Sequence, residues 1–195
     1  MDGEPLRKML AGMDGDHVNY ALHLGGTTIP LAERIGQSFT IRFTGARTCM
    51  ICGKRVKKFY GQGSCFPCLQ SAPEASECIV RPELCRAHLG EGRDPAWEQE
   101  HHFQEHYVYL SQTGGIKVGV TRSTQVPVRW IDQGAVLAVL IARTPYRQLA
   151  GLIEVALKQT LADRTDWRKM LQQVVPDASA LVRARDSALT SLPDD

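Results

Sequence analysis

The stretch TCMICGKRVKKFYGQGSCFPC, residues 48–68, decides how this chain is read. It contains two C-x2-C pairs, Cys49 with Cys52 and Cys65 with Cys68, separated by a twelve-residue spacer. Four thiolates in this arrangement suit a tetrahedral Zn²⁺ site. Each C-x2-C turn puts two sulfurs on one knuckle and leaves backbone amides free to donate to them. Four sulfur ligands leave no open position for a substrate, so the expected site is structural. The spacer is slightly short for paired knuckles, but Gly53, Gly61 and Gly63 stand where tight turns are needed. Iron suits four thiolates as well as zinc does. Disulfides are an alternative that fits poorly, because the acidic start at Asp2 and Glu4 is unlike a basic secretory leader. A redox C-x2-C is another, and it does not explain the second pair.

Working outward, the charge around the knuckles is lopsided. The chain has 195 residues, is 43% hydrophobic and carries a formal charge of only +2. That suffices for one or two small domains with a modest core and does not by itself imply a polyanionic partner. No apolar run is long enough for a membrane span, and a reducing cytoplasm is the expected location. Yet no Asp or Glu lies between Arg34 and Pro73, whereas Arg34, Arg42, Arg47, Lys54, Arg55, Lys57 and Lys58 all do. A basic, acid-free block suits phosphate contacts, with Phe59 and Tyr60 available to stack on bases. A solvated basic hairpin tip, its aromatics covering the metal site, is the competing reading.

Before the knuckles, residues 18–24 alternate, Gly25 and Gly26 offer a turn, and residues 37–43 alternate again. This is hairpin grammar and predicts an N-terminal β-layer over residues 1–46 with Arg42 on its polar face. His17 and His23 lie among strand residues with no partner at ligand spacing. After the knuckles, Cys78, Cys85 and His88 form C-x6-C-x2-H, followed by a helical pattern over residues 95–105 that Asp94 would cap. A second zinc site is expected from Cys78, Cys85, His88 and a later histidine. Spacing does not separate His101, His102 and His106 for that place, and His102 is the candidate taken forward. The alternative is two buried cysteines and a turn-capping histidine. The zinc-binding region is thus drawn over residues 47–92, and residues 93–195 form a third segment.

That segment starts with a second hairpin, residues 106–111 and 116–120 around Gly114 and Gly115. A short helix is expected at residues 128–133 and a buried strand at residues 135–142. Thr144 and Pro145 look like the N-cap and first residue of a helix buried along Leu149, Leu152, Ile153, Ala156, Leu157 and Leu161. Glu154 sits at the edge of that face, where spacing alone favours an exposed i,i+4 pair with Lys158. A weaker helical pattern covers residues 178–189, and residues 193–195 read as a loose acidic end.

Tyr107-Val108-Tyr109, Lys117-Val118-Gly119, Arg129 and Glu154 occur in an order and spacing that resembles the GIY-YIG nuclease superfamily. More closely, YGQGSCFPC (residues 60–68), RPELC (81–85) and GIKVGVTR (115–122) resemble a bacterial family catalogued as a domain of unknown function. The resemblance implies an α+β fold: the N-terminal β-layer, a zinc-ribbon segment, and a small GIY-YIG-like sheet flanked by helices. It also implies roles for the matched residues. Glu154 would hold Mg²⁺ or Mn²⁺ and Arg129 would stabilise phosphate charge. Tyr109, its proton loosened by Lys117, would activate water. Arg122 would be a further phosphate contact. The pattern departs from the superfamily at Tyr107, where glycine is usual, and at Lys117, where tyrosine is usual. No asparagine follows Glu154, the chain's only one being Asn19.

The expectation is therefore a zinc-containing nucleic-acid-binding protein, for which the resemblance implies the chemistry of a divalent-metal-dependent, GIY-YIG-type phosphodiesterase. Lys54, Arg55, Lys57, Lys58, Tyr60 and Arg122 are its candidate contacts. A catalytically silent binding module and a zinc-ribbon protein-interaction module are the alternatives.

Overall fold

Alternating side chains in HVNYALHL commit residues 17–24 to a strand, and the chain doubles back on both sides of it. The computed structural model describes residues 4–164, 166–172 and 174–192. In it β1 (Leu10–Asp14), β2 (His17–Leu24) and β3 (Thr27–Pro30) form an antiparallel sheet with β2 in the centre. Leu24 pairs with Thr27, so the hairpin closes directly across Gly25 and Gly26. The partner of β2 is therefore β3, not residues 37–43. Those residues alternate in sequence but pair with no strand among the described residues, and Phe39, Ile41 and Phe43 stand 68%, 63% and 68% exposed. The near strand wins because a two-residue loop costs less closure entropy than a longer one. β1 carried no recognisable signal in the sequence.

The chain divides into two compact units, residues 1–76 and 77–195. The first continues past its sheet through the cysteine knuckles into helix α1 (Phe66–Ser71). The second begins with a series of 3-10 turns over residues 77–89 and then helix α2 (Pro95–His101). Asp94 caps α2 as expected, accepting from the amides of Ala96 and Trp97 at 3.1 Å each. The helix stops well short of residue 105.

The second sheet has the order β5-β4-β6, all antiparallel, from β4 (His106–Gln112), β5 (Ile116–Arg122) and β6 (Leu137–Thr144). Helix α3 (Val128–Asp132) precedes β6, and α4 (Arg147–Leu157), α5 (Trp167–Met170) and α6 (Ala178–Ser191) follow it. Val108 and Leu110 of β4 alternate onto one face and join Val118, Ala150, Leu157, Leu181 and Ala188 in a single apolar core. Each such buried aliphatic side chain of Val or Leu size contributes about 1.5–3 kcal/mol by leaving water. The intervening positions, Tyr109 and Ser111, project to the opposite face, directly across from Gly119 and Lys117 of β5.

One local expectation changes. Thr144 is not a helix cap: it remains paired with His106 as the last residue of β6, and its hydroxyl donates to the His106 carbonyl at 3.2 Å. Helix α4 begins three residues later with Tyr146 at the N-cap position. Residues 193–195, read as a loose acidic end, lie outside the described residues. Among the described residues no helix is long and apolar enough to cross a membrane.

Candidate metal centres and a buried polar cluster

Each metal centre is assembled by tight backbone turns. In the first unit the Gly53 amide bonds the Cys49 carbonyl at 3.1 Å, and the Cys49 amide bonds the Lys54 carbonyl at 2.9 Å, folding the first knuckle. Tyr60 and Ser64 exchange amide bonds of 2.9 and 3.0 Å to fold the second, and the Met50 amide donates across to the Gly63 carbonyl at 3.0 Å. Gly63 has φ of +101°, a conformation an L side chain rarely adopts, and a Cβ there would come within 2.8 Å of the Met50 side chain.

The ligand atoms of Cys49, Cys52, Cys65 and Cys68 consequently lie within 4.8 Å of one another. The Cys52 and Cys65 sulfurs are 3.8 Å apart. Metal–sulfur bonds of about 2.3 Å in a tetrahedron give sulfur–sulfur edges of about 3.8 Å, so the spacing fits zinc. The Cys65 amide also donates to the Cys49 sulfur at 3.2 Å. Burial pushes the Cys49 thiol up, but amides of Cys52, Cys65 and Ile51 outweigh it and bring it down to about 6. Cys68 goes the other way, pushed up to about 12 chiefly by its hydrogen bond with Cys65 and then by burial. A divalent cation resolves this competition by replacing the shared protons. The cluster could therefore bind zinc as a closed structural centre.

The second centre differs from the expected set in one ligand. Cys78, Cys85, Glu98 and His102 bring their ligand atoms within 4.8 Å of one another, and all four are buried. His88 is not among them: its ring stacks on Tyr146 with centroids 4.4 Å apart. The reason lies in the turns. Residues 87–89 form a 3-10 turn that carries His88 toward Tyr146, whereas Glu98 and His102 share one face of the end of α2. His102 Nδ1 contacts the Glu98 carboxylate directly and lies 3.8 Å from the Cys78 sulfur. His101 is turned away, its Nδ1 2.9 Å from the Trp97 carbonyl oxygen and its ring stacked on Trp97. The Glu98 and His102 spacing, i and i+4 on a capped helix, was the signal that could have found this ligand pair.

Two thiolates and a carboxylate around Zn²⁺ would leave one net negative charge, and a half-buried cation stands nearby. Arg147 is half-buried, and its guanidinium Nε and Nη2 donate to the carbonyls of Cys78 and Ile79 at 3.0 and 2.9 Å. Burial depresses its pKa, while the charges of Cys78, Cys85 and Glu154 oppose that effect. Its amide also bonds the His102 carbonyl at 3.0 Å. The turn Pro82–Leu84 lies so close to α4 that a Cβ at Gly151 would run into the backbone of Pro82 and Glu83. Arg147 and Gly151 therefore join the cysteine-bearing turns to the first half of α4, the helix that carries Glu154.

On the other face of the second sheet, polar groups converge. Tyr109 Oη donates to Gln133 Oε1 at 3.0 Å, and Lys117 Nζ donates to the same oxygen at 2.7 Å. Arg129, exposed on α3, hydrogen-bonds Tyr109 and acts electrostatically on Lys117, and Glu154 acts on both Tyr109 and Lys117. A Cβ at Gly119 would come within 2.8 Å of the Tyr109 ring, so this glycine makes room for the tyrosine. Gln133 thus joins Tyr109 to Lys117, and both feel the charges of Arg129 and Glu154. Nothing in the sequence pointed to Gln133, which depends on where α3 ends relative to β4.

The protonation order differs from the expectation. Burial pushes the Tyr109 hydroxyl up, against the opposing pull of Arg129, so its proton is held rather than loosened. It is Lys117 whose proton is loosened, brought down to about 8 by burial and then by Arg129. Glu154 is raised by burial, and it pairs with Lys158 at 3.3 Å. That pair exists as spacing suggested, but Glu154 is buried rather than exposed. Lys158 also reaches Asp163 at 3.4 Å, so an ammonium group lies between the two carboxylates. Among the described residues Glu154 does not belong to a group of His, Cys, Asp or Glu side chains close enough to hold a metal. Arg122, at the end of β5, is half-buried.

These features define a mixed α+β protein with two small antiparallel sheets, several helices and two cysteine-containing groups able to hold metal. A family model described as protein of unknown function (DUF2797) matches residues 36–194, and the chain belongs to that family. No curated protein and no solved structure matches it.

Proposed function

We propose that this is a zinc-containing protein that binds nucleic acid through the basic loop held by the first cysteine cluster. The observation that carries the reading is the state of Lys54, Arg55, Lys57 and Lys58. All four are exposed, and no ion pair among the described residues neutralises any of them. Lys58 lies 5.1 Å over the Tyr60 ring, so a cation and an aromatic face are offered together. A metal-clamped loop presents such charges without the ordering cost of a flexible tail. The test is binding of labelled DNA and RNA at low and moderate salt. Neutralising Lys54, Arg55, Lys57 and Lys58 together should weaken binding and flatten its salt dependence by roughly 0.7–0.9 in log–log slope per lost phosphate contact. No retention of either nucleic acid at low salt would instead favour docking of another protein on the metal-bound loop.

A second reading is a GIY-YIG-like phosphodiesterase, supported by the shared neighbourhood of Tyr109, Lys117, Arg129 and Glu154. Here Lys117, with its loosened proton, is the better candidate to activate water, and Tyr109 orients it through Gln133. Glu154 would have to exchange Lys158 for Mg²⁺ or Mn²⁺, which a bound phosphate could draw in. Divalent-metal-dependent cleavage that disappears in Glu154→Ala, with binding retained, is the expected result. Cleavage unchanged in that variant belongs elsewhere.

A further inference from the structure

The first unit contains a groove that the basic loop does not account for. Its volume is ≈ 960 Å³, and its floor includes Leu22, Leu24 and Ile29 of the sheet. One wall is the extended segment that pairs with no strand. Phe39, Ile41 and Phe43 of that segment line the groove while remaining more than three-fifths exposed. Three large apolar side chains held open in water on one short stretch mark a surface that another molecule covers. The charge of the lining identifies the kind of molecule. Arg7, Arg34, Arg42 and Arg47 all line the groove, against Glu4 as the one carboxylate. The Arg47 guanidinium lies 5.5 Å over the Phe43 ring.

We infer that this groove binds a single-stranded nucleic acid, its bases against the phenylalanines and its phosphates on the arginines. The inference deepens the nucleic-acid reading and depends on it. Exposed aromatic faces are useful only to a base that is not already stacked in a duplex, and the surrounding cations match the phosphates that accompany each base. An acidic peptide would also meet the arginines. It is the less favoured occupant, because the acid-free stretch of sequence that supplies Arg42 and Arg47 to the groove runs on through the exposed Lys54, Arg55, Lys57 and Lys58, more cations than a short peptide would use.

The experiment compares a labelled oligo-dT and an oligo-U of about twenty nucleotides with a blunt duplex of the same length, using the full chain loaded with zinc. Single strands should bind at least about tenfold more tightly than the duplex. Phe39→Leu with Phe43→Leu keeps the groove apolar but removes the flat faces. It should lower single-strand affinity about tenfold and leave duplex affinity unchanged, with zinc content and thermal melting as controls on folding. Phe39→Ala with Phe43→Ala should do the same or more. Equal affinity for single strand and duplex, lost on neutralising Lys54, Arg55, Lys57 and Lys58 but indifferent to the phenylalanines, overturns the groove assignment and leaves the nucleic-acid reading standing. Absence of binding to all three probes overturns both. An acidic peptide that binds in a Phe39- and Phe43-dependent way while the oligonucleotides do not assigns the groove to a protein partner, and overturns the inference.

Discussion

Tyr109 and Lys117, on neighbouring strands of the second sheet, donate to one and the same acceptor, Gln133 Oε1, at 3.0 and 2.7 Å. Neither donor is exposed enough to find water easily, Tyr109 being fully buried and Lys117 nearly so. The side chain at position 133 therefore satisfies two buried polar groups at once, and its loss should exceed that of an ordinary hydrogen bond. Gln133→Leu is expected to destabilise the second unit by about 2–4 kcal/mol, whereas Tyr109→Phe should cost about 1 kcal/mol. Urea unfolding of the two variants and of their combination checks this. Equal, additive effects would show that the shared acceptor does not couple the two strands.

Metal content distinguishes the ligands. The full chain should carry two equivalents of zinc. Cys49→Ser should remove one from the first unit, and Cys85→Ser one from the second. Glu98→Ala should weaken the second site, while His88→Ala should keep both ions, because His88 stacks on Tyr146 instead of facing the cluster. Elemental analysis after dialysis against a mild chelator reads each case. A single equivalent in the unaltered chain would remove the second centre from consideration.

The turn Pro82–Leu84, which leads into Cys85, packs against α4, and this makes Gly151 a sensitive position. An added methyl there meets the backbone of Pro82 and Glu83, not a flexible side chain that could move aside. Gly151→Ala, ordinarily stabilising in a helix, should here cost about 1–3 kcal/mol. A thermal melt should show the loss, together with weaker zinc retention at the second site. Unchanged stability would mean that the turn is free to withdraw.

His106 gives the second unit a pH dependence. It is fully buried, its Nε2 has no hydrogen-bond partner among the described residues, and burial brings its pKa from 6.5 down to about 4. The unfolded chain thus takes up a proton between those values while the folded chain does not. The contribution is complete above about pH 6.5, is lost as pH falls toward about 4, and amounts to about 3 kcal/mol. His106→Asn, which can still serve the Gln104 carbonyl, should abolish this increment. Comparing the variant with the unaltered chain across that range cancels the metal loss common to both, and parallel curves would exclude His106 as the cause.

Much of the local structure was legible in the sequence because it depends on neighbours along the chain. The C-x2-C pairs with their glycines, Asp94 before Pro95, the hairpin around Gly114 and Gly115, and the helical pattern of residues 178–189 each announce themselves within a few residues. Residues 37–43 show the limit of such reading. Their alternation suits a strand, but pairing went to the nearer Thr27–Pro30, leaving Phe39 and Phe43 to line a groove.

What only the tertiary structure decided is which side chains meet. By itself the sequence determined that sulfur ligands lie in two groups, that cations surround the first, and that Tyr109, Lys117, Arg129 and Glu154 follow a nuclease-like order. It did not determine that Glu98 takes the place of His88, that Gln133 joins Tyr109 to Lys117, or that burial holds the Tyr109 proton while loosening that of Lys117. Ligand identity depends on the direction in which a turn or helix face points, and a pKa depends on how much water folding removes. Both are properties of the packed chain, not of spacing along it.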